Sequence, residues 1–399
     1  MLYFVLVVAS LATGQPNVST IMAVGLPADT VRQRIEETTV FQNGEGGYLC
    51  YRIPAIVRSP GGNLLAFAEG RRTDCSDFGD VDIVLRISKD NGQSWGPIQT
   101  VVDFGPAQAG NPAPVFDLTD AAFPNGKLFL MYNTGTTSEA NVRKGLAVRE
   151  VWYKTSANGG QTWSEPVNIT AQVSRPNKLD MNPRYAFTED WRSYANTPGH
   201  ALQLQSGRYK GRIFVAANHS EGEPNPQFRD YRAHGFYSDD HGKTWKLSPT
   251  IPYPGGNEST AAETADGGLL LNARNQSGDV KNRLLAASTN AGESWAPVKV
   301  ATDLPDPVCQ GSMIDYHPRR GAAVLLFSNL NSQTNRANLT IRVSRDNGKS
   351  WSVGKSIYAG SSAYSDLVIQ SDGRIGVLYE KDNYTRITYA RFRYDWLVR

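Results

Sequence analysis

Six times along the chain a turn glycine is followed at once by an apolar run that closes on a polar residue. The runs are GNLLAFAE from Gly62, GKLFLMYN from Gly126, GRIFVAAN from Gly211, GGLLLNAR from Gly267, GAAVLLFS from Gly321 and GRIGVLYE from Gly373. They align without gaps, and each has the length and continuous apolar character of a buried strand. A second pattern, Ser-x-Asp/Asn-x-Gly-x-Ser/Thr-Trp, occurs as SKDNGQSW (88–95), SANGGQTW (156–163), SDDHGKTW (238–245), STNAGESW (288–295) and SRDNGKSW (344–351). In each copy the Asp or Asn can accept backbone N–H bonds, the glycine supplies a positive φ, and the tryptophan folds back as an apolar plug. Each therefore reads as a hairpin turn. Six strand units, five followed by a tryptophan hairpin, predict six four-stranded antiparallel blades. The expected fold is all-β, a six-bladed β-propeller, which closes the repeat on itself and leaves only short edges.

The seventh residue after each glycine is Glu69, Asn133, Asn218, Arg274, Ser328 and Glu380. All are polar, and equivalent positions in blades around one axis form a ring. Glu69, Arg274 and Glu380 are thus expected at one end of the central channel, although strands that merely end at solvent would give the same pattern. Composition agrees with a large β-rich globule. Of 399 residues 40% are hydrophobic and 20% charged, with 37 Gly, 22 Pro, 18 Tyr and 8 Trp. Helix-bundle, coiled-coil, disordered and multi-span membrane classes are excluded. Lys and Arg number 41 against 38 acidic residues, a net +3, with no basic run. Nucleic acid is therefore not an expected partner. The five histidines are scattered with no HExxH, so neither a metal nor a cofactor is expected. The three cysteines, Cys50, Cys75 and Cys309, cannot all pair within one chain. They are read as forming no disulfide framework and no zinc spacing.

The N-terminal run MLYFVLVVASLA is too short to span a bilayer. With Ala12 and Gly14 ahead of Gln15 it reads as a secretory signal peptide over residues 1–14; a buried first strand is the other reading. Residues 15–36 read as a linker and 37–399 as the propeller. Asn-x-Ser/Thr sequons at Asn17, Asn168, Asn218, Asn257, Asn275, Asn338 and Asn383 suit the secretory pathway, with secretion or a lysosome-like compartment as the destination.

The tryptophan hairpins resemble the Asp boxes of sialidases, and Tyr51-Arg52-Ile53-Pro54 resembles their Arg-Ile-Pro motif. The likeness runs from about Gly47 to Tyr394. It implies three arginines that bind the carboxylate of sialic acid: Arg52 in YRIP, Arg274 in NARN and Arg336 in NRANLT. Guanidinium groups suit that task because they pair with carboxylates in bidentate geometry. It also implies Tyr364, in SSAYSDL, as nucleophile. A neutral phenol avoids the repulsion that an attacking carboxylate would meet beside the substrate's own charge, and sialidases are a recognised exception to the two-carboxylate scheme of glycosidases. The stretch NESTAAETADGG supplies the base for Tyr364, with Glu258 favoured over Glu263. Among Asp74, Asp77, Asp80 and Asp82, the likeness selects Asp77 as acid/base and leaves Asp82 structural. Arg71 or Arg72 is expected to reach the glycan, and Glu380 to hold Arg52. Asn111-Pro112, the stretch around Gly199 and the stretch around Cys309 are expected to line or support the pocket.

The activity so implied is exo-α-sialidase action on sialylated glycans (glycoprotein, ganglioside or oligosaccharide), with retention at the anomeric carbon. A trans-sialidase would use the same residues. A non-catalytic sialoglycan-binding propeller would keep the arginines and lose Tyr, Glu or Asp. Sequons at Asn257, Asn275 and Asn338 adjoin these residues and are expected to be bare, with Asn218 doubtful and Asn17, Asn168 and Asn383 the more plausible glycan sites.

Overall fold

The computed structural model describes residues 35–399. The signal-peptide reading, most of the linker and Asn17 lie outside the described residues. The strands form six antiparallel blades. Blade I is Cys50–Arg58, Leu64–Arg71, Val81–Ser88 and Gln99–Val102. Blade II is Gln108–Asp117, Lys127–Gly135, Glu150–Ser156 and Val167–Asn168. Blade III takes Trp191–Asn196 and Leu202–Gln203 along one edge, then Ile213–Glu221, Tyr231–Ser238 and Lys246–Ser248. Blade IV is Gly256–Glu263, Leu269–Asn275, Asn282–Ser288 and Lys299–Pro305. Blade V is Ser312–Tyr316, Val324–Leu330, Ala337–Ser344 and the first half of Lys355–Ile369. The second half of that long strand opens blade VI, followed by Ile375–Lys381 and Arg386–Phe392. Glu36–Gln42 pairs with Arg386–Phe392 as the fourth strand of blade VI, so N-terminal and C-terminal strands close the ring. The propeller thus starts at Glu36, one residue ahead of the boundary drawn from the sequence.

Each glycine-led run is the second strand of its blade. These runs read as continuously apolar because both faces are buried. In Leu64–Arg71, Leu64, Ala66 and Ala68 pack toward blade VI while Leu65 and Phe67 pack toward blade II. The same period-two division recurs around the ring, and one core lies between each adjacent pair of blades. Inner strands are stitched by bonds that cross blades. Ile56 N donates to Asp366 (2.7 Å), Ser259 N to Thr197 (3.0 Å), Met313 N to Thr260 (3.1 Å) and Leu367 N to Ser312 (3.1 Å).

The tryptophan hairpins join the third and fourth strands of blades I–V. In SKDNGQSW, Gly92 N donates to Ser88 Oγ (2.8 Å) and Ser94 N to Asp90 Oδ1 (2.9 Å). The other four copies repeat both bonds. Each tryptophan plugs the core shared with the preceding blade: Trp163 meets Phe67, Trp245 meets Phe129, Trp295 meets Phe214 and Trp95 meets Tyr389. Blade VI has no such hairpin. The core between blades V and VI is covered instead by the C-terminal helix Tyr394–Val398, through Trp396 and Leu397.

The box glycines press on the neighbouring blade. At Gly242, φ is +79°, and an added Cβ would lie 2.5 Å from Phe129 Cε1. Gly242→Ala is therefore expected to destabilise the fold by about 1–3 kcal/mol through overpacking and left-handed strain. A thermal melt of the variant matching that of the wild type would show that the joint between blades II and III tolerates a side chain.

Candidate active site

All the sequence-selected residues lie at one end of the channel, for a topological reason. First strands start there, second strands end there, and the loops between second and third strands overhang it. Arg52, Asn111, Glu258 and Tyr364 come from starts of first strands. Glu69, Asn218, Arg274 and Glu380 come from ends of second strands. Asp77, Arg336 and Tyr384 come from the overhanging loops. Four of the inner strands shift register beside these residues, at Arg52/Ala55, Gly110/Ala113, Gly256/Ser259 and Ser362/Ser365. Bulges of this kind re-aim side chains that a regular pleat would point sideways. Ile53 (φ +60°) and Asn111 (φ +54°) are left-handed at two of them.

The residues enclose a cavity of about 480 Å³ lined by Arg52, Arg71, Asp77, Glu258, Arg274, Arg336 and Tyr364, among others. Tyr364 Oη donates to Glu258 Oε1 (2.5 Å), and Arg274 Nη1 donates to Glu258 Oε2 (2.5 Å) and to Tyr364 Oη (3.1 Å). Burial, reinforced by the Glu258 carboxylate, pushes the Tyr364 phenol well above its ordinary pKa, against the pull of Arg274 and Arg336. The phenol therefore keeps its proton at rest. Glu263 is turned elsewhere: its carboxylate accepts the Gln205 and Ser206 N–H groups (2.7 and 3.0 Å).

Each arginine has a different partner. Arg52 Nε donates to Glu380 Oε1 (2.6 Å) and Arg71 Nη2 to Glu69 Oε2 (2.7 Å). Arg336 forms no ion pair among the described residues. It donates to the Val308 carbonyl (3.2 Å) and to Tyr384 Oη (3.3 Å), so, unlike Arg52, Arg71 and Arg274, it has no acid against its charge. Arg72 leaves the cavity, pairing with Asp82 (2.5 Å) and Asp80 (3.3 Å), so of the doublet only Arg71 faces inward. Asp82 is fully buried and also accepts from Tyr48 Oη (2.7 Å), a structural role. Asp77 sits at the mouth, 3.0 Å from Arg71 and 3.8 Å from Arg52. Desolvation raises its pKa, but Arg71, Arg52 and Arg336 together outweigh that and hold it below the usual carboxylate range.

The cysteine reading needs correction. Cys50 and Cys75 form a disulfide, and only Cys309 is free. The hairpin register pairs Cys50 with Arg71, so the short loop after Arg71 brings Cys75 back over the start of the first strand. That bond, with Arg71 Nη1 on the Cys75 carbonyl (2.6 Å) and Gln108 Nε2 on the Asp77 carbonyl (2.9 Å), pins the Asp77 loop. Cys309 is buried, and desolvation pushes its thiol up to about 12, so it is an inert support.

A BNR repeat-like domain matches residues 62–377. Curated sialidases align over most of the chain. That of Micromonospora viridifaciens is 35% identical over 378 residues, covering 89% of this chain and 53% of its own length. The exo-alpha-sialidase of Aspergillus fumigatus is 30% identical over 394 residues, covering 88% of this chain and 86% of its own. The chain belongs to the BNR-repeat sialidase family. It spans about half the length of the Micromonospora relative. Among solved structures, Hadza microbial sialidase Hz136 superposes with a TM-score of 0.76 at 25% identity, covering 90% of this chain and 69% of that one. The intramolecular trans-sialidase of Ruminococcus gnavus shares the fold at TM-score 0.71 and 18% identity, covering 90% and 98%.

In this family member several site residues carry no signal in the sequence. Tyr384 lies in a run of three left-handed residues, Asp382 to Tyr384, and braces two arginines, with its ring 4.2 Å from the Arg52 guanidinium. The helix Glu139–Arg143 and the loop before Tyr231–Ser238 supply Glu139, Arg143, Phe228 and Tyr231 to the outer wall. Burial also sorts the sequons. Asn218, Asn257 and Asn275 are buried and Asn383 is exposed, whereas Asn168 and Asn338 are both half-buried, so burial does not separate that pair.

Glu380 is fully buried and also accepts Ile53 N (2.9 Å) and Tyr364 N (3.0 Å). Glu380→Gln is expected to cost about 3–5 kcal/mol, because it strands the Arg52 charge. Denaturant unfolding checks this; an unchanged midpoint would mean that Arg52 finds another partner.

Proposed function

We propose that the protein is an exo-α-sialidase that releases terminal α-linked sialic acid from glycoproteins, glycolipids and oligosaccharides, with retention of configuration and Tyr364 as nucleophile. The observation that carries this reading is the 2.5 Å bond from the Tyr364 hydroxyl to Glu258, inside a cavity also lined by Arg52, Arg71, Arg274 and Arg336.

Arg52, Arg274 and Arg336 bind the substrate carboxylate, and Arg336 contributes most to the initial attraction because no acid neutralises it. Glu258 accepts the phenolic proton as the Tyr364 oxygen bonds to the anomeric carbon and the glycosidic bond breaks. The tyrosine can remain neutral until that moment because its pKa is high. Asp77 gives its proton to the departing oxygen. Three guanidiniums hold Asp77 ionised in the free protein, and the arriving carboxylate offsets their charge, so substrate itself favours protonation of the acid. In the second half, Asp77 takes a proton from water, which attacks the anomeric carbon. The carbon–tyrosine bond breaks, and Glu258 returns the proton to Tyr364.

Two measurements test this. Tyr364→Phe should abolish release of 4-methylumbelliferone from its α-sialoside, and proton NMR of the wild-type reaction should show α-sialic acid as first product. Equal turnover by the variant, or β-sialic acid first, rejects the tyrosine mechanism. Asp77→Asn should slow hydrolysis of sialyllactose about 10²–10⁴-fold, the usual worth of a general acid, and the aryl sialoside much less, because phenolate leaves without protonation. Equal losses on the two substrates would assign Asp77 to binding.

A further inference from the structure

At the end of the propeller opposite the catalytic cavity, five blade junctions are filled by a tryptophan hairpin and the sixth is not. Between blades V and VI, beside the C-terminal helix, lies a second cavity of about 540 Å³. Its lining includes Arg319, Arg320, Arg374 and Arg393 against Asp372 and Asp395. That excess of two positive charges is most of the net +3 of the whole chain. Arg374 is spoken for by Asp372 (3.0 Å) and Glu36 (3.3 Å). Arg319, Arg320 and Arg393 are exposed and form no ion pair among the described residues. One wall is aromatic: the rings of Tyr316 and Tyr394 lie 4.9 Å apart, tilted by 34°, and the Tyr316 hydroxyl is fixed by donating to the Gly373 carbonyl (3.1 Å).

Unpaired like charges repel, and three of them around one concavity are stabilised by an anion that bridges them. Guanidiniums select carboxylate or sulfate oxygens, and a tyrosine face offers the apolar platform on which a pyranose ring packs. A concave site of this volume suits a few sugar units rather than a flat membrane or a duplex. We propose that this cavity binds an acidic oligosaccharide, carboxylated or sulfated, as a second glycan site remote from the catalytic one. Such a site would hold the enzyme on a glycan-rich surface while the other end of the propeller works, raising the local concentration of substrate. The proposal stands on this cavity; the hexasaccharide arm of its test is independent of the catalytic reading, and only the count of two sites in the sialyllactose arm rests on it.

The test is calorimetric titration of the full chain with two probes, a heparin-derived hexasaccharide and 3′-sialyllactose. The second is titrated into Tyr364→Phe protein so that it is not consumed. The triple substitution Arg319→Gln, Arg320→Gln, Arg393→Gln should weaken binding of at least one probe tenfold or more. A sulfated source shows in the hexasaccharide. A sialylated source shows as loss of one of two sialyllactose sites. A control triple at exposed arginines elsewhere, Arg184→Gln, Arg208→Gln, Arg345→Gln, should leave binding intact. Turnover of the soluble aryl sialoside should be unchanged by either triple, and thermal melts verify folding. Absence of binding by the parent chain, no loss in the first triple, or equal loss in the control overturns the proposal.

Discussion

The fully buried Glu380 carboxylate accepts hydrogen bonds from Arg52 Nε and Nη2, from Ile53 N and from Tyr364 N, all in buried residues. Isolated, a carboxylate at that depth would cost several kcal/mol. Charge-assisted bonds worth roughly 1.5–3 kcal/mol each offset that cost and more. They also hold Ile53, a β-branched residue, in the left-handed region, which costs about 1–3 kcal/mol. That strain has a use. The bulge at Arg52 turns its guanidinium into the cavity, and the matching bulge at Tyr364 turns the phenol toward Glu258. One acid thus sets the positions of the Arg52 guanidinium from blade I and the Tyr364 phenol from blade VI, the binding and reacting groups of the proposed reaction. These are also the two blades that must meet for the ring to close.

Charge placement in the rest of the cavity follows from the same economy of pairing. Converging guanidiniums would repel one another, so most carry a resident acid: Glu380 for Arg52, Glu258 for Arg274, Glu69 for Arg71. The acids differ in what they leave available. Glu380 is sealed beneath Arg52, while Glu69, in the cavity wall, is committed to Arg71 and to the Asn111 N–H (2.9 Å). Glu258 instead divides its two oxygens between Arg274 and the phenol, which lets it serve both as ion-pair partner and, in the proposed reaction, as proton acceptor. Arg336 has only a carbonyl and a tyrosine hydroxyl, so it offers the cavity a charge that an incoming anion can neutralise.

The fold was legible because its determinants repeat. Six gapless strand runs and five hairpins carry the period, and burial on both faces accounts for the runs' lack of alternation. The ring of polar residues at the seventh position was legible for the same reason, yet its members separate in space. Glu69, Asn218 and Arg274 line the cavity. Glu380 lies under Arg52, while Asn133 and Ser328 are buried and bonded to Asn196 N and Ser365 Oγ. The disulfide was missed because an odd cysteine count hid it; the register that sets Cys50 opposite Arg71 would have exposed it. The choice of Glu258 over Glu263 rested on the family likeness, because a period-two reading loses count at the Gly256/Ser259 bulge; Arg71 is told from Arg72 by the unbroken pairing of Leu64–Arg71 with Val81–Ser88, which sets it two residues on from Glu69.

The outer wall was illegible for a different physical reason. Glu139 and Arg143 come from a five-residue helix, and Phe228 and Tyr231 from the end of a loop and the strand it leads into, whose sequences recur in no other blade, so no repeat announces them. They organise one another. Arg143 pairs with Asp230 (2.9 Å) and lies 4.8 Å from the Phe228 ring and 5.2 Å from that of Tyr231. Glu139 accepts from both Tyr231 and Ser193. The network ties an insertion of blade II to one of blade III without calling on any residue of the reacting half. The cavity is thereby divided. In the half that surrounds the anomeric carbon in the proposed reaction, Arg52, Glu258, Arg274 and Tyr364 hang on strand ends and cannot change without disturbing inter-blade packing, with Asp77 and Arg336 on loops above them. The other half stands on insertions with their own ion pair, and can be remodelled while the propeller beneath it stays the same.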